Sequence, residues 1–334
     1  MLDMGDMVMI KWRKVLYIRR FLMTLRERAI AALEYRIPDA IPTFELEFQL
    51  TPELMGDGRN FISSWQLDGL SPLEREKKLY ENAQLMVEVY SKLEYSIFNV
   101  AYLNFEDVKT TVKFIKELSG DKFLLTHHGD GTFSIPDGNQ MYDFAYRLAD
   151  DPEGVHEQAR RMADNAIEYN KRLFDCGIES FMLCADYCYN SGPFMSPQMF
   201  SEFVTPYLHD IIREIRNMGG YTIKHTDGNI MPILDQLISC EPHCIHSIDP
   251  MAGVDIAEVK KITQAHKVAI CGNVNCALMQ TGTDEEVRQS ALYALEHGKP
   301  GGGYIFSTSN VPFRGLPLER YLMILDIWKQ HRYY

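Results

Sequence analysis

Between Ile223 and Ile230 the chain reads IKHTDGNI, with His225 and Asp227 two residues apart at the end of an apolar, strand-forming run. Side chains two apart on a strand project from one face, their Cα atoms about 7 Å apart. An imidazole and a carboxylate so placed can hold a metal ion, or act as an acid–base pair in which the carboxylate orients the ring. The plainer alternative is a satisfied strand end leading into a Gly-Asn turn.

Similar groups follow other apolar runs. Glu45 and Glu47 close IPTFELE, Asn99 ends the next run, and His127 and His128 follow FLLT. Asp186, Asp249, Asn273 and Ser307 to Asn310 come after the later ones. Each has a plain reading. Asp249 precedes Pro250 and can cap a turn, Asn273 sits in the loop-like CGNVN, and one glutamate can pair with an arginine. Alternation along the strand places Glu45 and Glu47 on one side; it separates His127, read as facing the site, from His128, read as a satisfied core histidine. Beyond Asp186, Tyr187, Tyr189 and Asn190 offer rings and an amide suited to a planar ligand, or simply pack the loop.

Such groups need a frame that gathers them. Eight short β-branched runs are read as strands: residues 41–47, 95–99, 123–126, 180–185, 221–224, 244–247, 268–271 and 303–306. Between them lie amphipathic helical patterns such as PLEREKKLYENAQLMVEVYSKL, SPQMFSEFVTPYLHDIIREIRNMGG and DEEVRQSALYALEHG. Strands alternating with helices, and no linker between them, predict a single (β/α)8 TIM barrel over residues 23–334. In that fold the carboxyl ends of the strands form the active-site rim, so the polar groups would meet in one bowl. Thr24 is read as the N-cap of the first helix; residues 1–22, rich in Lys and Arg, are read as an N-terminal helical extension outside the barrel.

The 334 residues are 46% hydrophobic and carry a net charge of -12, which speaks against nucleic acid or an anionic membrane surface as partner. No run reaches the ~20 apolar residues of a membrane span. Seven cysteines without a CxxC pair fit free thiols in a reducing cytoplasm.

The segments LCADYCYNSGPFMSPQMFSEFVTPYLHDII, IKHTDGNIMPILDQLI, VAICGNVNCALMQTGTDEEVRQ and GGGYIFSTSN resemble signature segments of the uroporphyrinogen decarboxylase superfamily, from about Met23 onward. The resemblance implies a (β/α)8 barrel and one of two chemistries: decarboxylation of porphyrinogen acetates, or corrinoid- or thiol-linked methyl transfer. The decarboxylases carry an arginine-rich segment after the first strand, where this chain has PTFELEFQL. Carboxylates there would repel a polyacid. The coenzyme M methyltransferases of the superfamily hold zinc on His-x-Cys after the fifth strand and on a Cys after the eighth. The matching positions here are His225, Asp227 and Asn310, so both thiolates are replaced.

What remains is a harder ligand set, His225 and Asp227 with Glu45 or Glu47, and with His127 and Asp186 as further candidates, suited to zinc acting as a Lewis acid. The resemblance thus implies a cytoplasmic methyltransferase that takes a methyl group from a small donor, such as a methoxylated arene. The acceptor would be a corrinoid held by a partner protein, since the chain has no Asp-x-His-x-x-Gly motif; a homodimer is compatible. His225, Asp227 and Asp186 are the expected catalytic residues; Tyr187, Asn190, Asn273, His127 and Asn310 are the expected substrate contacts. A decarboxylase of a porphyrin or smaller acid, and a barrel that only binds, are the alternatives.

Overall fold

The computed structural model describes residues 22–334; residues 1–21 of the expected extension lie outside them. Seven strands form one parallel sheet: β1 (Ile97–Asn99), β2 (Leu124–His128), β3 (Ser180–Cys184), β6 (Tyr221–His225), β7 (Cys244–His246), β8 (Ala269–Val274) and β9 (Tyr304–Thr308), neighbours in that order. The short strands β4 (Cys188–Tyr189) and β5 (Gly192–Pro193) make a separate antiparallel hairpin beyond β3. Helices link successive strands of the large sheet, as parallel pairing requires.

Local chemistry sets many boundaries. Thr24 and Glu27 form a capping box at Leu25–Leu33, and Ser71 with Glu74 does the same at Pro72–Lys92. The helix expected over residues 196–220 is two, Pro197–Phe203 and Thr205–Asn217. The break falls at Val204 because Pro206 has no N–H to continue the first ladder.

Of the eight expected strands, the first differs. Residues 41–47 make a single parallel bridge, Thr43 to Phe306, rather than a ladder. Pro42 lacks a donor, but its carbonyl accepts from Phe306 N–H at 2.9 Å. On the other side Ser96 N–H donates to the Thr43 carbonyl at 2.8 Å. The curled seven-stranded sheet therefore has backbone bonds from one short segment to residues at both its edges.

Two apolar clusters follow from strand alternation. Ile97, Leu124, Met182, Ile223, Cys244, Ala269, Cys271 and Ile305 face the inside of the curl, with Phe44 and Leu46. Ala29, Ala32 and Leu33 of the first helix join this inner cluster. Phe98, Leu125, Phe181, Leu183, Ile245 and Ile270 face the helices. Among the described residues no helix is long and apolar enough to cross a membrane.

Lys224 is an exception on the helix-facing side. It is fully buried, and its ammonium donates to Asp130 at 2.9 Å and to the carbonyls of Leu183 and Ala185 at 3.0 and 3.1 Å. The Tyr187 ring lies 4.1 Å from it. This clamp ties down the backbone just before Asp186. Asp130→Ala, which leaves the ammonium buried without its carboxylate, should cost about 3–5 kcal/mol in urea unfolding, whereas Asp130→Ala with Lys224→Met should recover part of that loss.

Candidate metal centre at the carboxyl ends of the strands

The parallel register lays out one row of Cα partners: Cys184 beside His225, His225 beside His246, His246 beside Cys271. His225 ends β6 and points inward above Ile223. The chain then turns at Gly228, whose φ of +80° suits glycine and where a Cβ would lie 2.5 Å from the Cys188 carbonyl oxygen. That close approach seats the β4–β5 hairpin over the turn, with Asn229 N–H donating to the Tyr189 carbonyl at 2.9 Å.

Three expected residues meet there. One ligand atom from each of Asp186, His225 and Asp227 lies within 4.8 Å of the other two. His225 Nε2 is 3.7 Å from Asp186 Oδ1 and 3.7 Å from Asp227 Oδ1. Asp186 Oδ1 also accepts from the Asp227 N–H at 3.0 Å, which fixes the two carboxylates relative to each other. Asn310 joins them through its amide, which donates to Asp227 Oδ2. Ser247 donates to Asp227 Oδ1 at 2.8 Å.

The electrostatics are those of an anion-rich pocket behind a neutral base. Burial pushes Asp227 up to about 6, opposed by the Ser247 hydrogen bond and reinforced by the charges of Asp186 and Asp249. Burial above all, with Lys224 and His128 adding repulsion, drives His225 down to about 3. The ring is therefore neutral near pH 7, the form that binds metals.

The support beneath Asp227 is strained. Ser247 and Ile248, just past β7, have φ of 89° and 51°, unusual for residues with a Cβ and more so for a β-branched one. Asn273 holds this bend, its amide donating to the Ile248 carbonyl at 2.8 Å. The bend is what points the Ser247 hydroxyl at Asp227.

Other expected site residues are placed elsewhere. Glu45 and Glu47 stand outside the three-residue cluster. Glu45 is buried one layer behind it, accepting from Ser307 Oγ at 3.1 Å, Thr308 N at 3.0 Å and Thr308 Oγ1 at 2.5 Å. Glu47 accepts from the Tyr102 hydroxyl at 2.6 Å. Tyr187 turns into the protein, hydrogen bonded to Thr132 at 2.6 Å and packed on Phe200. Asn190 is exposed at the hairpin tip, and Asn273 serves the backbone as above. Asp249 accepts from the N–H groups of Met251 at 2.9 Å and Gly228 at 3.3 Å, a turn cap as its place before Pro250 allows.

The two histidines of β2 exchange the expected roles. Leu124 faces the inner cluster, so alternation sends His128 inward and His127 toward the helices, where it packs edge-on to Tyr169. His246 went unnoticed in the sequence. Its signal was position alone: a histidine inside the apolar run CIHSI, two residues after an inward Cys244.

The fold and the cluster define a TIM-like α/β protein with its ligand-type residues at the carboxyl ends of parallel strands. A model of the uroporphyrinogen decarboxylase (URO-D) family matches residues 137–331, and the chain belongs to that family. The matched range holds Asp186, His225, Asp227, His246, Ser307 and Asn310, while Glu45 and Glu47 precede it. No curated protein matches the sequence. Among solved structures the chain is similar to a methyltransferase from Methanosarcina mazei, at 15% identity, over 92% of this chain and 99% of that one, with a TM-score of 0.70. A likeness of that identity establishes the fold. A dihydrodipicolinate synthase from Agrobacterium tumefaciens aligns over 75% of this chain and 69% of its own, at 10% identity and a TM-score of 0.40.

Two measurements probe this architecture. Asn273→Ala strands the buried Ile248 carbonyl and should cost about 1–3 kcal/mol in urea unfolding. Burial pushes the Glu45 carboxyl from 4.5 up to about 8, against the hydrogen bonds of Thr308, Ser307 and Tyr321. The folded protein thus holds this proton more tightly than the unfolded chain, so its contribution is full below pH 4.5 and is lost as pH rises toward 8. The urea midpoint of Glu45→Gln should change less over that interval than that of the parent protein.

Proposed function

We propose that the chain is a metal-assisted methyltransferase that moves a methyl group from a small donor, such as a methoxylated arene, to a corrinoid carried by a partner protein in the cytoplasm. One observation carries the reading. Two carboxylates and a neutral imidazole nitrogen converge at the strand ends, and a cation is the natural complement of such an acceptor-rich set. The donors are oxygen and nitrogen, without thiolate, which suits zinc or another borderline to hard divalent ion rather than thiol activation.

Asp186, His225 and Asp227 would hold the ion, and when bound it supplies Lewis acidity to the oxygen that departs from the methyl group. The chain's own groups prepare the rest. Ser247 and Asn310 grip separate oxygens of Asp227 and fix its rotamer. Asp186, the most exposed of the three, is held by the Asp227 N–H and stands nearest to an incoming donor. As the C–O bond breaks, the oxygen keeps the electron pair and the methyl group passes to the reduced corrinoid. Membership of the URO-D family and the likeness to a methyltransferase support this class of reaction. A decarboxylase gripping a polyacid is poorly served by Asp186, Asp227 and Asp249 in one place.

The test couples metal analysis to turnover. Purified protein should bind zinc stoichiometrically, and His225→Ala and Asp227→Asn should each weaken binding by at least about tenfold. With a panel of methoxyarenes, the parent protein should consume cob(I)alamin, read by its absorbance, and His225→Ala should not. Full turnover after chelation would overturn the metal; no consumption with any donor would overturn methyl transfer.

A further inference from the structure

Behind His225 runs a line of buried polar groups that the cluster itself does not use. His225 Nδ1 lies 2.8 Å from His246 Nδ1. His246 Nε2 lies 3.3 Å from Ser307 Oγ, and Ser307 Oγ donates to Glu45 Oε2 at 3.1 Å. All four residues are buried, and Phe44 packs edge-on against the His246 ring.

Counting protons gives the line a direction. A serine hydroxyl has one proton, and here it goes to Glu45. Oε2 of Glu45 takes hydroxyl donors from both Ser307 and Thr308, whereas Oε1 takes the Thr308 N–H at 3.0 Å and has beside it, at 3.4 Å, the Tyr321 hydroxyl oxygen, which can also accept a proton. A proton on the neutral acid therefore belongs on Oε1, and Oε2 stays an acceptor in either state. Ser307 Oγ is then left to accept, so the proton of neutral His246 sits on Nε2. The bare Nδ1 of His246 must accept from His225, whose own proton sits on Nδ1. What is left on His225 is an Nε2 lone pair aimed at Asp186 and Asp227.

We propose that His246, anchored by Ser307 and Glu45, is a positioning residue that fixes His225 in its Nδ1-protonated tautomer and so presents Nε2 as a ligand. The purpose of the device rests on the metal reading of the site, but the tautomer is defined without any metal. A ligating histidine held through its other nitrogen is a more basic and better oriented ligand.

The experiment reads the tautomer directly, from long-range proton–nitrogen couplings of 15N-histidine-labelled, metal-free protein near pH 7. His225 should show Nδ1–H and His246 Nε2–H. His246→Asn keeps an acceptor near the position of Nδ1 and should preserve the His225 pattern. His246→Leu, similar in bulk, and Ser307→Ala should shift His225 toward Nε2–H or a mixture, in protein whose circular dichroism is unchanged. In zinc competition titrations His246→Leu should bind about 10- to 100-fold more weakly than the parent, and His246→Asn within a few-fold of it. Finding Nε2–H at His225 in the parent, or an unchanged pattern in both His246→Leu and Ser307→Ala, overturns the proposal. Should the parent show the expected tautomers and the variants lose them while no protein binds zinc, the positioning role stands and the metal reading falls. If His246→Leu unfolds, Ser307→Ala with His246→Asn still decides between these outcomes.

Discussion

The row of residues Cys184, His225, His246 and Cys271, in register across four parallel strands, is the constraint on which the site depends. Inward neighbours on adjacent strands of a parallel sheet sit about 4.8 Å apart, so two histidines in one row are brought ring to ring. A slip of one residue in β7 would put Ile245 or Ser247 beside His225 and send His246 among the helices. Register in turn rests on burial of both faces of the sheet. Ile223 and Cys244 below the row and Ile245 and Ile270 behind it are all fully buried.

Above this row the molecule changes character. Below it the inside of the curl is mainly apolar, joined by the alanines of the first helix; in the row two cysteines flank two histidines, and above it stand the carboxylates of Asp186 and Asp227. The polar groups are held by one another and by bent backbone. Ser247 and Ile248 occupy left-handed conformations, and Asn273 reaches from the next strand to hold them. Strain of this kind persists only where its surroundings fix it. Here it places a hydroxyl under Asp227, while the Lys224–Asp130 clamp secures the segment leading to Asp186 from the helix side.

Much of this was legible in the sequence, and the misses have physical causes. Seven of the eight expected strands form, because β-branched runs bounded by glycine, proline and polar turns carry a strong signal. His225, Asp227 and Asp186, singled out by their place at strand ends, come together in one cluster, and Asn310, singled out by its place after the last strand and by resemblance, hydrogen bonds to it. The glutamates were misplaced because spacing tells which side a residue is on but says nothing of depth; Glu45 lies one layer behind the cluster. The choice between His127 and His128 failed for another reason. In FLLTHH residues 123–127 are buried on both faces, and the apolar run Phe123, Leu124, Leu125 occupies both sides of the strand, so the pattern carries no parity. Tyr187 looked like a ligand contact because it follows Asp186, yet the clamp beneath it draws its ring inward. His246 could not be found by composition at all, since only the register reveals its neighbour.

The three acceptors differ in how far they stand from water. The side chain of Asp186 is 52% exposed, that of Asp227 30% and that of His225 8%. On the proposed reading, Asp186 would be the first group an arriving ion meets and His225 Nε2 the last, and neither loading nor release would require the sheet to open. The same gradient makes the Asp186 side of the cluster its open face, so anything that reaches the buried ring nitrogen must pass the two carboxylates first.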